Sequence, residues 1–255
     1  MASTRIPDTV QRLFAEYFTA RDIAELLVSF DASAASADVR EFMRANDFDV
    51  VGIRRDGRVV GYIEGASLEN GACEQCLQQL EKAAVVIDSI PLLKTIMELK
   101  NAPFLFVSVF GGVCGIITPS DLEKPPVRMW LFGIVTLIEM RCSELVERHC
   151  PGDTWKEHLS EGRLEKAKAL LEERSRRNQK LRLFDCLQFS DKGQIVARNE
   201  DIRKHTVFSS RRQAEETIKK LEQLRNNLAH AQDFLISDWE TVLLLCEFIR
   251  NNNGQ

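Results

Sequence analysis

One unit occurs twice in the first half of this chain, and the duplication constrains the fold more than any other feature. Residues 48–53 read as a strand, Arg55-Asp56-Gly57-Arg58 as a hairpin turn and residues 59–63 as the return strand. Residues 104–110, Gly111-Gly112 and residues 113–117 repeat the pattern, with Gly61 and Gly115 roughly fifty-four residues apart. Asp-Gly supplies the positive-φ positions that a tight hairpin needs. A helix over 36 or 37 to 46 precedes the first hairpin. A short strand at 85–87 precedes the second, followed by a helix to about 100 that Asp88 or Ser89 caps, with Pro91 in its first turn. A helix over about 68–82 is expected to close the first copy. One beginning at Thr118-Pro119-Ser120-Asp121-Leu122 closes the second. The copies then span about 21–82 and 84–125. A short helix carrying Val10, Leu13, Phe14, Tyr17 and Phe18 stands before them, followed by an apolar turn at 21–27.

Pro125-Pro126 marks a break, after which the apolar period becomes helical. Helices are predicted over 127–150, ended by Pro151-Gly152, and over about 161–181, capped by Thr154 or Ser160. An apolar turn at 183–189, a loop at 191–194 and a short helix at 195–204 follow. Ser209 or Ser210 then caps a helix from about Arg211, and Ser237 caps a last one with Trp239, Val242, Leu243, Leu245, Cys246, Phe248 and Ile249 on its buried face. The tail from Asn251 reads as frayed. Long helices with short loops predict an up-and-down bundle over 126–255, and the chain as a whole reads as α+β.

Composition narrows the function. The chain is 44% hydrophobic and 28% charged with a net charge of −4, which does not suit a protein that coats nucleic acid. The one local concentration of base, Arg174, Arg176, Arg177, Lys180 and Arg182, is of the kind usually found on a solvated helix face. No apolar stretch approaches the ~20 residues of a membrane span, and no signal-peptide pattern opens the chain. Seven cysteines, an odd number without disulfide spacing, predict reduced thiols in the cytoplasm. Cys73-x-x-Cys76 is a lone CxxC. A thiol or zinc hydrolase built on Cys73, Cys76 or His149-Cys150 has no support in the spacing.

The stretch Val113-Cys114-Gly115-Ile116-Ile117-Thr118-Pro119-Ser120-Asp121-Leu122 resembles the ligand motif of cystathionine-β-synthase (CBS) domains, and the duplicated unit resembles a CBS pair. The physics suits a nucleoside: strand backbone and apolar side chains hold a base, and a carboxylate accepts from ribose hydroxyls at a helix start that also favours phosphate. The resemblance implies an adenine nucleotide (AMP, ADP or ATP) as regulatory ligand, with Thr118, Ser120 and Asp121 at the site. The first copy departs from the motif, with Glu64 and Ser67 where Thr and Asp belong, so one site is expected rather than two. Plain helix capping by Thr118 and Asp121 is the alternative.

In the second half, Ile218, Leu221, Leu224 and Leu228 form an apolar stripe into which Arg225 points, and Asn226 shares a face with His230. Arg225-Asn226-x-x-x-His230 resembles the signature of the HEPN superfamily of helical ribonucleases. That resemblance implies a metal-independent endoribonuclease acting on RNA. His230 would be the acid/base group, Arg225 would stabilise phosphoryl charge and Asn226 would orient. Arg225 and His230 lie roughly 140° apart round an ideal helix, and the homodimer usual in that superfamily would resolve the mismatch. The reading is therefore an endoribonuclease needing no cofactor for its chemistry and regulated by adenine nucleotide at the CBS pair. The alternative is a non-catalytic nucleotide-sensing dimerisation protein.

Overall fold

The computed structural model describes residues 12–69, 71–80 and 83–229, together with Leu244. They fall into two compact units, one of residues Ala15–Val127 and one that takes in Arg12–Phe14 and the residues from Arg128 onward.

The first unit holds two four-stranded sheets. One runs β2 (Ser29–Asp31), β3 (Val50–Arg55), β4 (Arg58–Glu64), β5 (Gln78–Gln79). The other runs β1 (Glu25–Leu26), β8 (Gly112–Ile117), β7 (Leu105–Val109), β6 (Val85–Ile87). Each begins with a parallel pair joined through a helix: β2 and β3 through α1 (Ser36–Asn46), β6 and β7 through α2 (Leu92–Leu99). The two hairpins share one register, Ile53 opposite Gly61 and Val107 opposite Gly115, and each is interrupted just after that pair, between Ile53 and Arg54 and between Val107 and Ser108. The duplication read in the sequence is thus repeated residue by residue in the hydrogen bonds. Val39 and Met43 of α1 join Val51, Ile53, Ile63 and Cys73 in one core cluster. Leu92, Ile96, Leu99, Leu105, Val107 and Ile117 are buried at the matching places of the second copy.

Where the sequence predicts a helix over 68–82, the structure has 3-10 turns at Gly65–Ser67 and Cys73–Cys76 and then β5 on the edge of β4. The strands exchange roles between copies: β5 precedes the second copy but completes the first sheet, and β1 precedes the first copy but completes the second. Gly61 and Gly115 make this possible. A Cβ on Gly61 would overlap the Leu77 side chain and the Gln78 carbonyl, and one on Gly115 would come within 3.1 Å of the Glu25 carbonyl. Thr19 bridges Pro91 as Ala72 bridges Ala35, so the turn Ala20–Asp22 is the counterpart of Cys73–Cys76. Pro91 is the N-cap of α2 rather than part of its first turn, and the Asp88 side chain is held by Arg21.

The second unit holds no strand among its described residues. Its longest helix, α3 (Pro125–His149), is buried on most sides, by Trp130, Leu131, Ile134, Leu137, Ile138, Leu145 and Val146 among others. Leu13–Tyr17 forms a π-type turn that follows helical Arg12; the Phe14 carbonyl accepts from the Trp130 indole at 2.8 Å, and its ring fills the space over Gly133. The next helix, α4 (Glu161–Arg176), stops short of 181 because Asn178 turns left-handed, at φ 57°. Residues 191–194, expected as a loop, lie inside α5 (Phe189–Arg198). Asp191 accepts from the Gln188 N–H at 2.9 Å, and Gly193 is there because a Cβ would strike Ile218. Asn199 ends α5 and caps α6 (Glu200–Arg203) through a 3.0 Å bond from the Ile202 N–H. Ser210 accepts from the Gln213 N–H at 3.1 Å at the start of α7 (Arg211–Ala229), whose Ala214, Thr217, Ile218 and Leu221 are buried. Val10 and the expected last helix from Ser237, with the tail beyond it, lie outside the described residues. Among the described residues no helix is long and apolar enough to cross a membrane.

Candidate functional site

Thr118, Ser120 and Asp121 come together at the end of β8. Thr118 leaves the strand in extended conformation and caps the turn Pro119–Glu123. Asp121 reaches back, its Oδ2 accepting from the Thr118 N–H at 2.6 Å and from the Thr118 hydroxyl at 3.0 Å, while the Ser120 and Thr118 hydroxyls lie 2.8 Å apart. The capping role raised for these residues is therefore real. It accounts for one carboxylate oxygen of Asp121; the other lies 2.8 Å from the Lys124 ammonium.

Lys124 is the group that sequence reasoning missed. Its Nζ donates to the Ile23 carbonyl at 2.6 Å and pairs with Glu25 as well as Asp121. Burial works against its charge, but the hydrogen bonds to Asp121 and Glu25 outweigh it and raise its pKa above the ordinary lysine value. The lysine thus ties the motif of the second copy to the segment that leads into the first.

The motif opens on a cavity of 1410 Å³ within the Ala15–Val127 unit. Its wall carries three cations, Arg40 and Arg44 one turn apart on α1 and Lys124 beside the motif, among five carboxylates, Glu25, Asp47, Asp49, Glu64 and Asp121, with Phe104 and Ile116 as apolar surface. A ligand with an apolar ring, hydroxyls and an anionic tail finds all three kinds of partner there. In the first copy Glu64 lines the same cavity, and Gln78 Nε2 donates to Glu64 Oε1 at 3.3 Å and to Ser67 Oγ at 3.4 Å. An amide bridging a carboxylate and a hydroxyl offers no cation, so the two copies present unlike ends to a ligand.

In the second unit Arg225 is half-buried near the end of α7 and Asn226 is exposed beside it; His230 lies outside the described residues. The basic run at and beyond the end of α4 is partly paired. Arg177 pairs with Glu173 at 2.8 Å, and Arg182 with Glu147 and Asp185 at 2.7 Å each. The hydrogen bonds that Arg182 donates to Asp185 and Glu147 hold its pKa well above the usual value. Cys73 is buried in the core, and burial raises its thiol pKa, the opposite of an activated nucleophile. Among the described residues no group of three or more His, Cys, Asp or Glu could hold a metal ion. Two histidines stack, unforeseen from sequence, and a third lies against Asn199. His149 stacks on His205 with ring centroids 4.5 Å apart, and Asn199 Nδ2 lies 3.2 Å from His158 Nε2 and 3.7 Å from Cys150 Sγ.

No family model matches the sequence, and no curated protein matches it. Solved structures similar to part of the chain are CBS-domain proteins. One is a hemolysin-like protein containing a CBS domain from Oenococcus oeni PSU: 14% identity, TM-score 0.36, covering 45% of this chain and 93% of that one. Another is CBSX2 in complex with AMP: 16% identity, TM-score 0.39, covering 44% and 98%. A third is the CBS domain of a bacterial CNNM/CorC family Mg2+ transporter in complex with ATP: 18% identity, TM-score 0.36, covering 46% and 92%. The likeness extends over less than half of this chain.

Proposed function

We propose that residues 19–124 are a CBS-type pair that senses an adenine nucleotide, AMP, ADP or ATP, and that the helical half, residues 126–255, carries the response. The observation that carries this reading is the Thr118-Ser120-Asp121 turn opening on a cavity lined by Arg40, Arg44 and Lys124. The base would lie against Ile116 and Phe104. The ribose hydroxyls would compete with Lys124 for Asp121, and the phosphates would then find the released ammonium together with Arg40 and Arg44. Binding would thereby loosen the tie from Lys124 to Ile23 and Glu25, which gives the ligand a way to move the chain rather than merely occupy it. Thermal unfolding with each nucleotide tests this. A ligand at a hundred times its Kd stabilises by about 2.7 kcal/mol, a shift of roughly 5–11 °C for a protein of this size. No shift with any of the three would overturn the reading.

The helical half is read as a HEPN-type endoribonuclease, with His230 as acid/base, Arg225 as charge stabiliser and Asn226 as orienting group, working in a homodimer in the cytoplasm. The observation favouring it is Arg225, half-buried on an amphipathic helix with polar Asn226 exposed beside it. RNA cleavage in EDTA that His230→Ala and Arg225→Ala both abolish would support it. No cleavage by the wild-type chain, with or without nucleotide, leaves the non-catalytic sensor.

A further inference from the structure

The two copies provide a comparison internal to the molecule. Their registers superimpose, so each position in one sheet has a counterpart in the other. At the outer edge the counterparts differ in kind. The first copy has Ser29 and Asp31 on β2, with Asp31 bound to Arg54 of β3 at 2.9 Å. The second has Val85 and Ile87 on β6, with Ser108 in place of Arg54. Val85 is 42% exposed and Ile87 59%. Charged groups are how exposed sheet edges avoid pairing with other chains; the first edge has them and the second does not.

The hairpin tips repeat the contrast. Asp56 and Phe110 occupy the same turn position, each followed by glycine and each left-handed, at φ 50° and 49°. Asp tolerates that conformation, whereas a bulky side chain rarely adopts it. Phe110 nevertheless stands there fully exposed, at 106%. A strained aromatic with no contact of its own to justify it points to a contact elsewhere.

We infer that β6 and Phe110 form a contact surface for a second copy of this chain, the two β6 strands pairing antiparallel about Val86. The occupant follows from charge. In that register Val85 faces the partner's Ile87, Ala84 faces the partner's Asp88, and no like charges meet. Among the described residues the charges in reach, Asp88 and Arg21, are already paired with each other. Phe110 lies two residues past Ser108, which pairs with Ile87, so it is level with Ser89 and hence with the partner's Ala83, a small residue that leaves room for the ring. The two sheets would join into one of eight strands.

The test compares the full-length chain with a triple variant that installs the first copy's residues, Val85→Ser, Ile87→Asp and Phe110→Asp. Analytical ultracentrifugation should show the wild-type chain at twice the monomer mass, and the variant at half the wild-type mass with an unchanged helical and strand spectrum. Full-length Val85→Cys and Ile87→Cys proteins, oxidised together, should form a disulfide-linked pair that neither forms alone; this arm decides if the triple variant does not fold. A wild-type chain monomeric at every concentration, a triple variant that stays dimeric, or a mixture that cross-links no better than either protein alone would each overturn the proposal.

Discussion

Asp121 shows what one buried carboxylate can be asked to do. It is 5% exposed, caps its own turn through Thr118 and balances Lys124, which is in turn shared with Glu25. Replacing Lys124 with Met should leave that carboxylate without a cation in a low-dielectric place, at a cost of about 1–3 kcal/mol, read as a lower urea midpoint. An unchanged midpoint would mean that water meets Asp121 instead. The histidine pair gives a pH prediction. His149 is pulled below the ordinary histidine value, first by burial and then by His205 and Arg148. A histidine whose folded pKa is depressed contributes stability that is present above its unfolded pKa of about 6.5 and lost as pH falls through the folded value. His149→Phe should therefore flatten the loss of melting temperature on acidification below that pH; an unaltered slope would assign the loss to other groups. Thr118 and Asp121 were legible in the sequence because capping is local chemistry, complete within four residues. Lys124 was not, because Ile23 and Glu25 lie about a hundred residues earlier in the chain.

Most of the longer elements were legible, with α5 the exception. Both hairpins, α1 and α3 follow directly from periodicity and turn chemistry. The strands β1 and β5 have two residues each and no period to show, so the exchange that joins the copies was invisible and the second crossing segment read as helix. The glycines at 61 and 115 are its trace in the sequence, since a repeated Gly inside a strand marks a close backbone approach. Gly61→Ala should force β5 off β4 and destabilise by about 1–3 kcal/mol, the usual cost of overpacking. Gly115→Ala, where the approach is less tight, should cost less; equal effects in denaturant would contradict this account of the crossing strands. Gly193 taught the reverse lesson. It reads as a loop breaker, and it is instead a helical contact against Ile218 that α5 needs in order to lie on α7.

On the scale of the whole molecule, duplication set up a symmetric pair and substitution then made its halves unequal. The second copy has Thr118, Asp121 and Lys124 on the cavity, where the first has Glu64, whose carboxylate accepts from Gln78. One copy keeps a charged outer edge where the other exposes Val85, Ile87 and Phe110. On the proposed reading each half of the asymmetry would have its own consequence: a single ligand site per chain, and a single self-pairing edge. Titration calorimetry with AMP, ADP and ATP on the wild-type chain and on Asp121→Ala addresses the ligand site most directly. Binding of at least one nucleotide at one site per chain, lost or much weakened in the variant, is the result predicted. No binding by the wild-type chain, two equivalent sites, or full binding by the variant would contradict it.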